Sequence, residues 1–389
     1  MSSEWYSGKL GEVIELKRGY DLPQAKRKKG NVPLVSSSGV SDSHDVAMVK
    51  GPGVVTGRYG TIGKVFYVEN DFWPLNTTLY VRDFKGNDPK FIHYFLKTLD
   101  FLAYSDKAAV PGVNRNHLHE AAVHLPGVSE QREIAEFLGA IDDRITLLRE
   151  TNTTLEAIAQ ALFKSWFVDF DPVHAKAQGL EAEGMDAATA ALFPDSFEES
   201  ERGLVPRGWT VTKFGDFINR LSVGQKYDQK SAFPEGIVPI LDQGRSGIIG
   251  YHNDSPGVKG SLDEPVVVFA NHTCYMRLIT FDFSAIQNVL PFNGRAVDTI
   301  WAFYATKDRI KFSEYKGHWP DFAIEKLPLP SEDLTRAFRK AVDPIIWKIR
   351  FIELQAQTLT QLRDTLLPRL ISGQLRLSEA KVQVEAGCA

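Results

Sequence analysis

The sequence predicts an α+β fold: two similar strand-rich globular domains separated by two long antiparallel coiled-coil helices, with pseudo-two-fold symmetry. A heptad pattern of apolar residues persists for about five repeats, and a second copy follows 204 residues later. Short β-prone runs, interrupted by Gly, Pro, Asn and Asp, precede each copy. A seam of this length indicates a helix that packs against a partner helix, and both helices lie in this chain.

The first heptad run lies within residues 129–170. Its seam consists of Ile134, Leu138, Ile141, Ile145, Leu148, Asn152, Leu155, Ala159, Leu162 and Trp166. Asn152 is the polar exception, and one Asn in an apolar seam can fix the register of the pairing.

The second run repeats the first at an offset of 204. Its seam consists of Phe338, Val342, Ile345, Ile349, Ile352, Ala356, Leu359, Arg363, Leu366 and Leu370. The same offset relates Trp5 to Trp209 and the pair Leu125-Pro126 to Leu329-Pro330. Three separated blocks with one offset indicate an internal repeat. Pro344 lies inside the second helix and predicts a kink or a broken first turn there.

These patterns divide the chain into six segments. We expect a first globular domain, a first long helix, a connector, a second globular domain, a second long helix and a flexible tail, at residues 1–128, 129–170, 171–208, 209–328, 329–375 and 376–389. In this order the first helix leads away from the first domain and the second leads back, which predicts antiparallel pairing. Two similar domains held at a fixed separation would act as a ruler, and two-fold symmetry suits duplex DNA.

The composition favours a cytoplasmic protein outside the membrane. The 389 residues include only two cysteines, which suggests no disulfide framework and no cysteine-based zinc site. No apolar run is long enough to span a bilayer, and the N-terminal residues lack a secretory pattern. The net charge is −4, but residues 129–204 alone carry 16 acidic and 6 basic side chains. The globular parts are therefore neutral to mildly basic, which permits contact with nucleic acid.

Six strings carry a family resemblance. They are GRYGTIGKVFYV (57–68), LNTTLYV (75–81), VPGVNRNHL (110–118), LEAIAQALFKSWFVDFDPV (155–173), GMDAATAALFPDSFEESERGLVPRGW (184–209) and LLPRLISGQL (366–375). With them, the chain resembles the specificity subunit of type I restriction–modification systems over nearly its whole length.

The resemblance implies that each globular domain is a target recognition domain that reads one half of a split DNA site, and that the helices set the spacer. It also implies docking of two modification (methyltransferase) subunits and two restriction (motor-nuclease) subunits. S-adenosylmethionine, ATP and Mg would then belong to those partners, and this chain would bind no cofactor itself.

In the first domain, Gly-flanked loops carry the candidate DNA-binding residues. Gly lets the backbone approach phosphate, Arg and Lys neutralise phosphate or read guanine, and Asn can pair with adenine. The alternatives are solvated loops for the basic residues, turn chemistry for Asn and a strand start for the Asn-Thr pair. The candidates are Lys26, Lys28, Arg58, Tyr59, Thr61, Lys64, Asn76, Thr77, Asn114, Arg115 and Asn116.

In the second domain, the equivalent loops depart from the GRYGTIG pattern, which fits a different target sequence. The candidates are Gln243, Arg245, Ser246, Asn271, His272, Thr273 and Tyr275. His272 and Cys274 are too isolated to predict a metal site. Trp166, Phe167 and Phe170 are expected to pack at the end of the first helix, with a partner-docking role as the alternative.

Catalytic motifs are missing from the sequence. Asp171-Pro172-Val173 lacks the Asn/Asp-Pro-Pro-aromatic motif that amino-methyltransferases carry. The GRYGTIGK string departs from a P-loop at Arg58 and Val65. We therefore expect a non-catalytic DNA-binding subunit. The alternative is a coiled-coil scaffold whose end domains bind proteins, although it has no use for Arg and Lys in Gly-rich loops.

Overall fold

The computed structural model describes residues 5–105, 112–244, 247–314 and 316–388. The chain divides into two compact units. The first unit combines the residues up to Arg149 with those from Leu354 onward, and the second runs from Glu150 to Glu353. Each unit thus contains one globular domain and half of each long helix.

The first domain is built mainly from short strands. In chain order its elements are β1 (Tyr6–Lys9), α1 (Leu10–Val13), β2 (Glu15–Arg18), a 3₁₀ turn (Gln24–Lys26), β3 (Val32–Ser36), β4 (Gly39–His44), β5 (Gly53–Gly57), β6 (Val65–Val68), β7 (Trp73–Pro74), β8 (Thr78–Asp83), α2 (Pro89–Lys97), a second 3₁₀ turn (Phe101–Tyr104), α3 (Arg115–His119) and β9 (Ala122–Leu125). Its described strands form a four-stranded sheet ordered β2-β8-β5-β6, a three-stranded sheet ordered β4-β3-β7 and the pair β1-β9.

The first long helix, α4 (Val128–Phe167), leads into a structured connector. The connector contains α5 (Asp171–Ala177), α6 (Ala187–Ala191) and a hairpin of β10 (Phe197–Ser200) with β11 (Gly203–Pro206). Asp186 caps α6 by accepting hydrogen bonds from the N–H groups of Ala188 and Thr189, each at 3.0 Å.

The second domain repeats the plan of the first. Its elements are β12 (Thr210–Lys213), α7 (Phe214–Phe217), β13 (Ile218–Arg220), β14 (Lys226–Tyr227), β15 (Val238–Leu241), β16 (Ile248–His252), β17 (Val266–Ala270), β18 (Met276–Ile279), β19 (Ser284–Ile286), β20 (Val289–Gly294), α8 (Thr299–Thr306), α9 (Trp319–Ile324) and β21 (Lys326–Leu329). The sheet β13-β20-β17-β18 corresponds to β2-β8-β5-β6 of the first domain, and the run β16-β15-β19 corresponds to β4-β3-β7.

The terminal strand pair of each domain confirms the repeat residue by residue. In the first domain β1 pairs antiparallel with β9, and Tyr6 lies opposite Leu125. In the second β12 pairs with β21, and Thr210 lies opposite Leu329, so both partners shift by 204 positions. The offset found in the sequence is therefore also the offset of the strand register. The α+β fold with two strand-rich domains and two long helices is confirmed.

The chain ends with the second long helix, α10 (Glu332–Ile371), and a short helix, α11 (Leu377–Cys388). α10 continues as one helix through Pro344, so the alternative of a broken first turn is wrong, and the kink stays a prediction. The flexible tail predicted at 376–389 is also corrected by α11. Leu377, Ala380 and Val384 share one face of this helix, and Ala380 is fully buried against the core of the first unit.

In the first unit, the core joins the domain to the beginning of α4 and the end of α10. Ile134 and Leu138 of α4 share a buried cluster with Leu366 and Leu370 of α10 and with the apolar face of α2. The beginning of one helix therefore packs with the end of the other, which is the predicted antiparallel arrangement.

In the second unit, the end of α4 packs with the beginning of α10 in an aromatic core. Phe163, Trp166 and Phe167 surround Phe338 at ring-centroid distances of 5.4–5.9 Å. Trp166 and Phe167 are buried, so the packing interpretation of these residues is confirmed. The Nδ2 group of Asn152 donates to the carbonyl oxygen of Ile349 at 3.1 Å, which is a polar contact within the seam.

In the described part of the chain, no helix combines the length and the apolar character that crossing a membrane would require.

Candidate nucleic-acid interface

The loop between β5 and β6 carries four of the predicted DNA-binding residues. The N–H of Gly57 donates to the carbonyl oxygen of Lys64 at 3.1 Å and closes the loop. Gly60 and Gly63 have φ values of +77° and +79°, which Gly adopts without strain. The guanidinium of Arg58 lies over the ring of Tyr59, 4.5 Å from its centroid, and Lys64 is exposed. The closed loop thus presents two cations and an aromatic ring at the surface.

Two further motifs converge on this loop through backbone hydrogen bonds. The N–H of Arg58 donates to the carbonyl oxygen of Thr77 at 2.9 Å, and the N–H of Val113 donates to that of Arg58 at 3.0 Å. A Cβ at Gly112 would lie 2.3 Å from the Tyr59 ring, so only Gly permits this approach. The structure therefore brings the 57–68 and 75–81 strings together with residues 112–118 of the third string. We call the surface formed by residues 58–64, 76–77 and 112–116 the first-domain face.

Several predicted residues of this face also have structural roles. The side-chain amide of Asn76 donates to Asp21. The Oδ1 atom of Asn114 accepts from the N–H of Asn116 at 3.0 Å and caps α3, which is the turn chemistry that we gave as its alternative. Arg115 and Asn116 are exposed in the first turn of α3, and Thr61 and Thr77 are partly exposed.

The structure does not join the basic run to the first-domain face. Lys26 and Lys28 are exposed, and their segment is attached to the C-terminal end of β4. The N–H of Lys28 donates to Nδ1 of His44 at 3.0 Å, and Arg27 pairs with Asp42 at 3.1 Å. The opposite end of β4, next to Ser37, is the end that approaches Thr77.

The second domain repeats the same backbone arrangement with different side chains. The N–H of Asn271 donates to the carbonyl oxygen of Asn288 at 2.9 Å, as Arg58 does to Thr77. The N–H of His318 donates to the carbonyl oxygen of Asn271 at 2.9 Å, as Val113 does to Arg58. Asn271 therefore occupies the place of Arg58. We call the surface formed by residues 243, 271–275, 288 and 316–319 the second-domain face.

Gln243 attaches the turn between β15 and β16 to the second-domain face. Its Oε1 atom accepts from the N–H of His272 at 3.1 Å, and its carbonyl oxygen accepts from the hydroxyl of Thr273 at 2.7 Å. Tyr275 closes the loop, because its carbonyl oxygen accepts from the N–H of Ala270 at 2.8 Å. Arg245 and Ser246 lie outside the described residues.

Sequence reasoning missed contributors to both faces. Ser37 reaches the first-domain face because its N–H lies 3.4 Å from Oγ1 of Thr77. In the second domain it missed Asn288 and Arg220, whose guanidinium lies 5.3 Å from the centroid of the Trp319 ring. A signal existed for Asn288, since it immediately precedes β20 as Thr77 precedes β8. The intervening loops differ in length, so the constant offset of 204 did not reveal it.

One cluster in the second domain resembles a catalytic triad in composition but not in geometry. The N–H of Asp254 donates to Nδ1 of His252 at 3.1 Å, so Nε2 carries the proton and donates to Oγ of Ser284 at 2.9 Å. Ser284 is fully buried, and its Oγ also accepts from the N–H of Gly257. A nucleophilic serine needs the histidine as acceptor, so this cluster is structural. The GRYGTIGK loop is followed by β6, whereas a P-loop is followed by a helix.

The chain matches one protein family along its first part. The family model described as the type I restriction modification DNA specificity domain covers residues 2–157. The specificity subunit of the type I restriction enzyme HindI from Haemophilus influenzae is 24% identical, with 80% of this chain and 84% of the relative aligned. The MjaIX specificity subunit from Methanocaldococcus jannaschii is also 24% identical, over 97% of this chain and 94% of the relative.

The fold also occurs in a solved structure. The S subunit of a type I restriction–modification system from M. genitalium superposes with a TM-score of 0.54 at 16% identity, over 95% of this chain and 96% of that chain.

Proposed function

We propose that this chain is a specificity subunit of a type I restriction–modification system. Its two faces would then read the two halves of one split DNA target. Subunits of this kind are non-catalytic, and the enzyme activities belong to partner chains. The first-domain face would read one half-site and the second-domain face the other, with a fixed gap between them.

One observation gives this proposal its main support. Two domains that share a strand register and a pair of loop-anchoring hydrogen bonds differ in the side chains of those loops. A conserved scaffold with divergent loop chemistry is what reading two different half-sites requires. Arg58 and Lys64 suit guanine or phosphate. Gln243 and Asn271 instead offer amide N–H donors to bases, because their amide oxygens accept from the N–H groups of His272 and Trp319.

The partners follow from the same proposal. The chain would hold two modification subunits on DNA and, for cleavage, two restriction subunits. S-adenosylmethionine would be bound by the modification subunits, and ATP and Mg by the restriction subunits. The residues described here include no cluster of His, Cys, Asp and Glu suited to a metal ion, so we propose no metal role for them.

Methylation mapping tests this function. The chain would be co-expressed with its modification subunit in a host without other adenine methylation, and modified adenines would be read across the genome. We expect one motif of two short specific halves separated by a gap of constant length. A contiguous motif would contradict the proposal. Soluble, associated proteins that methylate no motif would favour the coiled-coil scaffold instead.

A further inference from the structure

A partly buried polar cluster joins the first domain to both long helices. The hydroxyl of Tyr94, on α2, donates to Oδ2 of Asp142, on α4, at 2.7 Å. The other carboxylate oxygen of Asp142 accepts from Nη1 of Arg363, on α10, at 2.6 Å. One carboxylate therefore binds one group of the domain and one group of the opposite helix.

The surroundings give this cluster a defined geometry. Tyr94 is 1% exposed, and Lys97 lies over its ring at 5.3 Å from the centroid. Arg363 occupies a seam position, where a charge is costly unless it is paired. Asp142 supplies one such pair, and the exposed neighbour Asp364 supplies a second, 2.7 Å from Nη2 of Arg363. Charge-assisted hydrogen bonds from a buried donor such as Tyr94 tolerate little change in distance or angle.

The second unit has a cluster of the same kind. The hydroxyl of Tyr304, on α8, donates to Oε2 of Glu156, on α4, at 2.9 Å. The other oxygen of Glu156 accepts from Nζ of Lys307 at 2.6 Å. A Tyr followed three residues later by Lys thus recurs in both domains, as Tyr94 with Lys97 and as Tyr304 with Lys307.

The two clusters nevertheless differ in their charged groups. In the first unit the carboxylate belongs to Asp142 and its cation, Arg363, comes from α10. In the second unit the carboxylate belongs to Glu156 and its cation, Lys307, comes from the domain itself. Both carboxylates lie on α4, two heptads apart and at the same heptad position. Residue 346, which the repeat relates to Asp142, is Ile, so the internal repeat does not reproduce these contacts.

We propose that these Tyr–carboxylate–cation clusters are positioning sites that fix the orientation of each domain on the helices and thereby restrict the gap between half-sites. The proposal rests on the proposed function. Tyr94 and Asp142 would act through the domain that they hold, and would not contact DNA. Weakening the contacts of one cluster would leave the recognised bases of both half-sites unchanged. It would widen the range of gap lengths at which the complex methylates DNA.

The test uses the complete complex with its modification subunit and a DNA library in which only the gap varies. We expect Tyr94→Phe and Asp142→Asn each to raise methylation at gaps one base pair from the preferred one by roughly tenfold relative to the preferred gap, the effect of losing one buried hydrogen bond. The double variant should exceed Tyr94→Phe by less than the sum of the single effects, because both changes act on the Tyr94–Asp142 contact and only Asp142→Asn also removes the charge facing Arg363. Asp142→Glu, which keeps the charge, should retain more selectivity than Asp142→Asn.

Asp143→Asn is the matched control, since Asp143 is the exposed neighbour of Asp142 on the same helix. It should keep the parental gap preference. Thermal unfolding of every variant separates loss of folding from loss of selectivity. Folded variants of Tyr94 and Asp142 that keep a single gap would overturn the inference, and so would a change in the recognised bases. If the parent itself methylates no split motif, the proposed function fails rather than this inference.

Discussion

Arg58 contributes its backbone to the fold and its side chain to the surface. Its N–H and carbonyl groups join three loops, and its guanidinium lies over an exposed aromatic ring. The sequence predicted the loop because Gly and cations are visible in it. It did not predict Ser37 or Asn288, which reach the faces through backbone contacts that depend on tertiary pairing. Asn114 was ambiguous because the same side chain suits a helix cap and adenine.

Replacing the two cations of the first-domain face should weaken DNA binding in different ways. Arg58→Ala should cost about 1–3 kcal/mol at the specific site if Arg58 reads a base. Lys64→Ala should weaken binding to all sequences and reduce the salt slope by about one, as the loss of a phosphate contact does. Titration of labelled DNA at several salt concentrations measures both.

Lys28→Ala serves as the control for both variants, because Lys28 is an exposed cation that the structure does not join to this face. An equal loss of specific affinity in Lys28→Ala and Arg58→Ala would contradict the assignment of the face.

His93 should make the first unit sensitive to acid. Burial, aided by the nearby charge of Lys97, lowers the pKa of His93 to about 3, against an ordinary value of 6.5. The unfolded chain therefore binds a proton that the folded protein excludes between pH 6.5 and 3. The stabilising effect of a neutral His93 is fully present above pH 6.5 and is lost as the pH falls through this window.

The free energy of unfolding from pH 7 to pH 4 measures this dependence. This group alone should contribute a loss of up to about 1.4 kcal/mol per pH unit. His93→Phe keeps a ring at this position and should remove that part of the pH dependence. Identical pH profiles for parent and variant would show that folding does not lower the pKa of His93.

At the scale of elements, helix length and heptad periodicity made α4 and α10 predictable. Their seams bury apolar residues over many turns, so sequence pattern and packing agree. The helix α11 was missed because it is short and its few apolar residues gain a partner only in the folded core. Pro344 did not end α10, which shows that tertiary packing can outweigh a local helix breaker.

A charge at the buried face of α11 should destabilise the first unit. Ala380→Asp would place a carboxylate where the parent side chain is fully buried, at a cost of about 2–4 kcal/mol. Lys381→Asp changes the exposed neighbour and should stay within about 0.5 kcal/mol of the parent. Urea unfolding compares them, and equal midpoints would mean that α11 does not dock in solution.

At the scale of the whole molecule, the constant offset of 204 residues was enough to predict the duplicated architecture from the sequence. It could not assign the residues of the second-domain face, because its loops differ in length and composition from those of the first. The order of strands is shared, whereas the chemistry at the strand ends is not. The residues of the two faces are therefore the part of this molecule that the internal repeat predicts least.

Substitutions in one face should change one half of the target only. Arg58→Ala should reduce the base specificity at one half-site, and Asn288→Gly should reduce it at the other. Gly is the suitable replacement because Asn288 has a φ of +68°. Methylation mapping of both variants measures the motif that each one recognises. A variant that loses base specificity in both halves would contradict the proposal that each face reads one half-site.

The division of the helices between the units has a consequence for synthesis of the protein. The second unit is continuous in sequence, from Glu150 to Glu353, whereas the first unit needs residues from both ends of the chain. A ribosome thus releases all of the second unit before the first can close. Until residues from Leu354 onward emerge, Ile134 and Leu138 lack Leu366 and Leu370 as packing partners. The domain made first is the one completed last, and a chain truncated after Glu353 would expose its half of the seam to chaperones and proteases.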